Sequence, residues 1–499
     1  MVQEYQARKE RRKIFNLLNL IVTKEIKFLK RHAFLGLYLL VFSPAFFENY
    51  AWSDDFSALA YPNAVGEHAL LDARPIYGLA IGEIFQLVET LENLRWVRLL
   101  TVLGIYLLAN WVHRFLSERT ELKHLKLAIF AGFCCSAWAN VAFWAIAFIV
   151  PWAAFFACQG IVYSNNRKNK IKLFGIALLV VAWLCYPPAV FFSLAVMYLK
   201  SLVDNESPSK TLMSQLKQIP YLGISAILAF IVAKLSVQFW TASNFNDRIS
   251  IPSFNEIPSK VYFFLTRQIV QSFRPLSLDT SSNINIAFEA MLVILLLSYL
   301  FYLNSRTILI SAMQSVIFVL VIVEVQILHL VTAGNQIEIR HFIVSNWLVV
   351  VTFFVQINRT VFRGFKDALQ GLKVTSLGLS LILGFAPLGF FYSVVFPIVN
   401  ETRTFLLETI DSCTNSELVN SVILERVSIW PSNPNLGMAS QVTDLASPWV
   451  PHSAINILTM NLRQIDIKPI YIERGGDIIS EGVCLFDLEK FEINKGEKD

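Results

Sequence analysis

The chain has 499 residues, of which 55% are hydrophobic and only 16% charged. Soluble domains carry about 25% charged residues, so this composition, with a mean hydropathy of +0.53, excludes an ordinary soluble domain and predicts a membrane protein. The 40 Phe and 11 Trp suit lipid-facing and interfacial surfaces. The net charge of +5 says little by itself, and no nucleic-acid partner is expected.

The first 32 residues form a basic, partly amphipathic arm with Arg8, Lys9, Arg11, Arg12 and Lys13. No small-residue cleavage site follows the first apolar run, which predicts an uncleaved anchor. From there to Val399 the apolar stretches are Ala33–Phe47, Trp96–Phe115, Leu127–Ala142, Ile146–Tyr163, Leu173–Tyr186, Ala189–Leu202, Tyr221–Trp240, Ile286–Leu303, Ile308–Leu330, Phe342–Gln356 and Leu377–Val399. Several fall short of the ~20 residues of a full crossing. The links on either side of Leu127–Tyr163 and of Leu173–Leu202 are basic, so each of these two stretches returns to the side it started from and folds as a hairpin. The turns are expected near Asn140–Pro151 and at Tyr186-Pro187-Pro188. The arm and the basic links lie inside by the positive-inside rule. The expectation is therefore an all-α polytopic membrane protein with about eleven transmembrane helices, its N-terminus inside and its C-terminus outside.

Short hairpins leave a hollow beneath the outer surface, and two outer loops, 50–95 and 241–285, are long enough to line it. Pro75–Leu91 in the first loop has helical apolar spacing and reads as a helix lying in the interface. The second loop contains the amphipathic run VYFFLTRQIVQSF, with Arg267, ahead of Arg274-Pro275; Arg248 precedes it. Residues 400–499 turn polar. NETRTFLLETIDSCTNSELVNSVI reads as helix, and INILTM, IKPIYIE and GVCLFDL read as short strands, together a small extracytoplasmic α+β domain. Cys134, Cys135, Cys158 and Cys185 lie in apolar segments and act as small hydrophobes. Cys413 and Cys484 would pair if the outside is oxidising, a link worth ~4 kcal/mol. No Cys/His spacing suggests a metal site.

The candidate chemistry sits in Glu48–Pro75, directly after the first apolar segment. Asp54 and Asp55 are adjacent carboxylates and Arg74-Pro75 follows about twenty residues later. A carboxylate takes a proton from a hydroxyl and a guanidinium holds a phosphate. Adjacent loop residues rarely aim at one point, so one aspartate acts and the other orients or caps; two solvated acids are the bland alternative. A second constellation is Glu324, His329, Glu338 and Arg340 around TAGNQIEIRH, for which an interhelical ion pair is the competing reading. Lys234 reads as a snorkelling side chain.

A first helix followed by aromatic-rich Trp-x-Asp-Asp and then Gly-Arg-Pro before an interfacial helix resembles the Gtr-type O-antigen glucosyltransferases of the GT-C superfamily. The matching residues are Trp52, Asp54, Asp55, Arg74 and Pro75, with Ala73 where the family more often has Gly. Tyr186 matches in the second hairpin, where the family often continues with Gln and this chain has Pro187. The C-terminal hundred residues carry no part of the likeness. The resemblance implies a sugar, glucose in the named family, moved from a polyprenyl-phosphate donor to an acceptor glycan such as lipopolysaccharide O-antigen, on the outer side of a bacterial inner membrane. It implies an inverting single displacement with Asp54 or Asp55 as the carboxylate. Trp52, Arg74, Tyr186, Glu338 and Arg340 would contact substrate, with no cofactor beyond the lipid-linked donor; some relatives use a divalent metal. A flippase of lipid-linked sugar would need the arginines without the base, and a scaffold in polysaccharide assembly would need neither.

Overall fold

In the computed structural model the described residues are 33–51, 54–88, 90–118, 124–241, 254–275, 283–305, 307–331, 339–362, isolated positions and short runs between 378 and 404, and three strands further on, with Phe245 also described. The fold is mostly helical. The first helix, α1, covers 33–41, and α2 is the short Pro44–Phe47. Three helices follow in the 50–95 loop: α3 (Asp54–Ala60), α4 (Pro62–Leu71) and α5 (Pro75–Val88). The long α6 (Leu94–Ser117) leads to α7 (Leu125–Phe133), α8 (Ser136–Phe143), a 3-10 turn Ala145–Ile149 and α9 (Val150–Ser164). Then come α10 (Asn169–Cys185), α11 (Pro187–Val190), α12 (Phe192–Val203), α13 (Pro208–Leu216) and α14 (Ile219–Trp240). The segment α15 (Ile257–Phe263), a π-helical turn Phe264–Ile269 and α16 (Val270–Ser272) precedes α17 (Asn283–Asn304), α18 (Ile308–Gln326), α19 (Leu328–Val331) and α20 (Ile343–Phe362).

Among the described residues five helices are long and apolar enough to cross a membrane: Leu94–Ser117, Ala145–Ser164, Pro208–Trp240, Ala287–Asn304 and Ile308–Gln326. The pair α7–α8 would make a sixth but bends by 61°. The apolar stretch Leu127–Ala142 is therefore two helices with a break at Cys134–Cys135, a broken span or a re-entrant loop. Cys135 adopts an extended backbone (φ −67°, ψ 161°), and the Ser136 amide and hydroxyl both donate to the Pro275 carbonyl at 3.0 Å. A partner from outside the helix replaces the bond that a continuous helix would make.

The second hairpin turns where the prolines dictate. Tyr186 precedes Pro187 and is pushed out of the helical region (φ −156°, ψ 96°), because the proline ring crowds it. Pro187 then starts α11, where its missing N–H costs nothing. Before that turn, α10 packs against α9, and the two helices meet on small residues. A Cβ on Gly175 would lie 2.4 Å from the Ser164 amide nitrogen and 2.7 Å from the Gly160 carbonyl oxygen, so only glycine lets the two backbones approach this closely.

Burial separates the helices into two kinds. In the Ala145–Ser164 span 72% of the best apolar window is buried, against 28% in Pro208–Trp240 and in Ala287–Asn304. The second kind turns Ile227, Phe230, Leu235, Leu295 and Tyr299 outward, a surface that water does not favour but acyl chains do. Far along the chain, Ser421–Arg426 (β1), Lys468–Glu473 (β2) and Val483–Asp487 (β3) form a parallel sheet in the order β2-β1-β3. The stretch 421–423, read from sequence as the end of a helix, is therefore strand; of the rest of that helix only 400 and 404 are described, both helical, and INILTM lies outside the described residues.

Candidate functional site

The 50–95 loop is tied to the long apolar helices through the turn between α8 and α9. Asp55, in the first turn of α3, is 0% exposed. Its Oδ1 accepts from the Ile146 amide at 2.9 Å and its Oδ2 from the Ala145 amide at 3.4 Å. These are the first amides of the 3-10 turn, which have no partner within it, so Asp55 caps that turn from another part of the chain. Oδ2 also lies 3.3 Å from Arg98 Nη2. Two tyrosines fix the same turn: Tyr50 Oη donates to the Phe143 carbonyl at 2.8 Å and Tyr77 Oη to the Ile146 carbonyl at 2.7 Å. Burial pushes the Tyr50 phenol well above its ordinary pKa, with the Arg98 charge pulling the other way, so it stays protonated and donating.

Arg98 is the residue that sequence reasoning passed over. It lies in α6, is 0% exposed, donates through Nη2 to the Tyr50 carbonyl at 2.6 Å, and stacks over the Tyr50 ring at 3.7 Å. Its Nε and Nη1 have no hydrogen-bond partner among the described residues, and the ring face offsets part of that deficit. The signal was available: an arginine within an apolar span requires a partner, and Asp55 is the one it has.

Asp54, one residue earlier at the head of α3, is only half-buried. Consecutive helical side chains point about 100° apart, so locking Asp55 inward turns its neighbour elsewhere. The two aspartates therefore have different environments, as their adjacency led us to expect.

Arg74 follows a left-handed residue. Ala73 has φ 58°, its amide donates to the Leu70 carbonyl, and the Arg74 amide donates to the Ala69 carbonyl. This is the Schellman ending of α4, with alanine at the position that glycine fills without strain. Alanine adopts here a conformation that glycine takes more easily. Arg74 Nη2 lies 2.5 Å from Asp72 Oδ2, with the guanidinium 5.3 Å from the Tyr77 ring centre. The helices either side of it meet at glycines: a Cβ on Gly78 would sit 2.4 Å from the Gly66 carbonyl oxygen. Asp55 and Arg74 are thus joined indirectly, through Tyr77 on the Ile146 turn, and Arg74's nearest carboxylate is Asp72.

Tyr186 is 5% exposed, at the α10–α11 turn. Trp52, Glu338, Arg248 and Cys413 lie outside the described residues; Arg340 falls in the 3-10 turn Ile339–Phe342 and Cys484 on β3, with their side chains not described. Lys234 is exposed on α14. Arg274, just after the amphipathic run of the second loop, is 5% exposed and pairs with Glu289 at 2.6 Å. Among the described residues no three His, Cys, Asp or Glu side chains converge as metal ligands would. Set against known protein families, curated proteins and solved structures, the chain matches none.

Proposed function

We propose that this protein is a membrane glycosyltransferase of the GT-C kind, moving a sugar from a polyprenyl-phosphate donor to a surface glycan. The observation that carries the reading is the division of labour between two adjacent aspartates. Asp55 is spent on Arg98 and the Ala145–Ile146 amides, and this holds the start of α3 rigidly. Asp54 sits on that rigid start with a half-buried side chain. A general base has to be held in place and yet reach its proton, and Asp54 meets both requirements.

In this reading Asp54 takes the proton from an acceptor hydroxyl. The oxygen attacks the anomeric carbon, the carbon–phosphate oxygen bond breaks, and the lipid phosphate departs with the bonding pair. Displacement from the opposite face inverts the anomeric centre. Arg74 offsets the charge on the departing phosphate, exchanging its bond to Asp72 for one to the phosphate. Asp55 acts as a positioning residue. The reading includes the full expected topology, with the loop outside a bacterial inner membrane, eleven crossings and an outer α+β domain built on β1–β3. Reporter fusions at Lys168 and after Asp499 test it: the first is active inside, the second outside.

The activity is tested with purified protein, lipid-linked sugar and acceptor glycan. Arg74→Ala is expected to cut transfer strongly, and Arg74→Lys, which keeps the charge and loses the planar fork, only somewhat less. Transfer at the native rate by Arg74→Ala removes Arg74 from the site. Sugar crossing the membrane while still on its lipid, with no transfer, would make the protein a flippase.

A further inference from the structure

The segment Ile257–Ser272 is amphipathic in the inverted sense. Its exposed face is apolar, with Tyr262 71% and Leu265 53% exposed. Its inner face carries Lys260, Gln268, Gln271 and Ser272, each no more than 3% exposed. These positions follow helical spacing, so they form one stripe. A helix on a soluble protein turns its polar stripe to water; here apolar side chains meet the surroundings and amides face the interior. That arrangement suits a segment with acyl chains on one side and a polar seam on the other.

The seam is built largely of neutral groups. Gln268 Nε2 donates to Gln326 Oε1 at 3.1 Å. Gln326 Nε2 donates in turn to Ser345 Oγ at 2.9 Å and to the His341 carbonyl at 3.3 Å. Asn346 Nδ2 donates to the Ser272 carbonyl at 3.1 Å. Gln268 itself is 0% exposed, and its Oε1 has no hydrogen-bond partner among the described residues. It sits on the π-helical turn Phe264–Ile269, an irregularity frequent at functional sites. A buried amide oxygen without a donor is costly, so a donor brought to Gln268 Oε1 would be stabilised there.

We propose that this seam binds the hydroxyl-rich ring of a sugar. Side-chain amides donate and accept, and so do sugar hydroxyls, so the two exchange partners bond for bond. An incoming hydroxyl supplies Gln268 Oε1 with its donor, and the Gln268–Gln326–Ser345 relay adjusts by rotating amides without moving charge. The proposal rests on the glycosyl-transfer reading above and names the part of the chain that would read the sugar, as distinct from its phosphate.

Binding is measured in nanodiscs with three probes: polyprenyl-phosphate glucose, the same polyprenyl phosphate without sugar, and a soluble oligosaccharide from the host's surface polysaccharide. The wild type is expected to prefer the glycosylated lipid over the bare one by about tenfold or more. Gln268→Met and Gln326→Met are expected to lose about tenfold on the sugar-bearing probe while holding bare lipid as the wild type does. Loss on the soluble oligosaccharide alone assigns the seam to the acceptor's sugar and still supports a sugar site. Where a methionine variant does not insert, Ser345→Ala removes one hydroxyl and gives a smaller loss in the same direction. Sugar binding unchanged in all variants, or no sugar preference in the wild type, overturns the proposal and leaves the orphan acceptor to a water. Asp54→Asn separates this from the parent reading: it lowers the transfer rate by ~10²–10⁴-fold and leaves the sugar preference intact.

Discussion

The clamp around Asp55 and the seam around Gln268 solve the same problem by opposite means. Both bury polar groups among apolar helices. The clamp uses a full charge pair, Asp55 with Arg98 at 3.3 Å and both 0% exposed. The seam between the inverted segment, α18 and the start of α20 is bonded chiefly through amides and hydroxyls, with Lys260 and Arg274 at its margins. A buried charge cannot lose its partner without a large penalty, so the clamp has one arrangement and fixes α3 on α6 and the α8–α9 turn. Neutral amides exchange partners cheaply, so the seam can bind and release. Rigidity thus belongs to the acid in the 50–95 loop and adaptability to the later segment.

Breaking the clamp is expected to have the largest effect. Arg98→Ala leaves Asp55 buried without its counter-charge and should cost ~3–5 kcal/mol, read as a fall in the detergent thermal-unfolding midpoint. Replacing both members, Asp55→Leu with Arg98→Met, should recover most of it, since an apolar pair of similar volume is often neutral. A double variant as unstable as the single would mean that the Tyr50 and Ile146 contacts, and not the charge pair, hold the loop. Next comes Gly175→Val in the α9–α10 interface. It overpacks a site where a Cβ meets the Ser164 amide at 2.4 Å, costing ~1–3 kcal/mol in the same unfolding measurement.

Smaller effects sharpen the comparison. Ala73→Gly relieves the left-handed backbone at φ 58° and should stabilise by ~0.5–1 kcal/mol, without altering transfer. The Gln268→Leu, Gln326→Leu pair removes donor and acceptor together. It also leaves the His341 carbonyl and Ser345 Oγ without the Gln326 donor, so it should cost about 1–2 kcal/mol, below the Arg98 effect. A seam variant as destabilising as Arg98→Ala would erase the contrast between the two regions.

Much of this was legible in the chain, and the gaps have physical causes. Helix existence follows from long apolar runs, and the turn at Tyr186 follows from Pro187, because both are local. The bend between α7 and α8 was not legible, since its cause, the Pro275 carbonyl on Ser136, lies 139 residues away. Asp54 and Asp55 stood out as a pair, but their separate environments depend on Arg98 and the Ala145–Ile146 amides, contacts that no local pattern announces. The run VYFFLTRQIVQSF was legible as amphipathic; which of its faces points inward depends on α18 and α20 packed behind it.

The most direct test of the account compares Asp54→Asn with Asp55→Asn in the same transfer assay and the same unfolding measurement. The account predicts that Asp54→Asn keeps the native unfolding midpoint and loses ~10²–10⁴-fold in transfer rate, the usual cost of a missing general base. Asp55→Asn should lower the midpoint, because Arg98 is left without its counter-charge. Transfer at the wild-type rate by Asp54→Asn would contradict the account, whatever Asp55→Asn does.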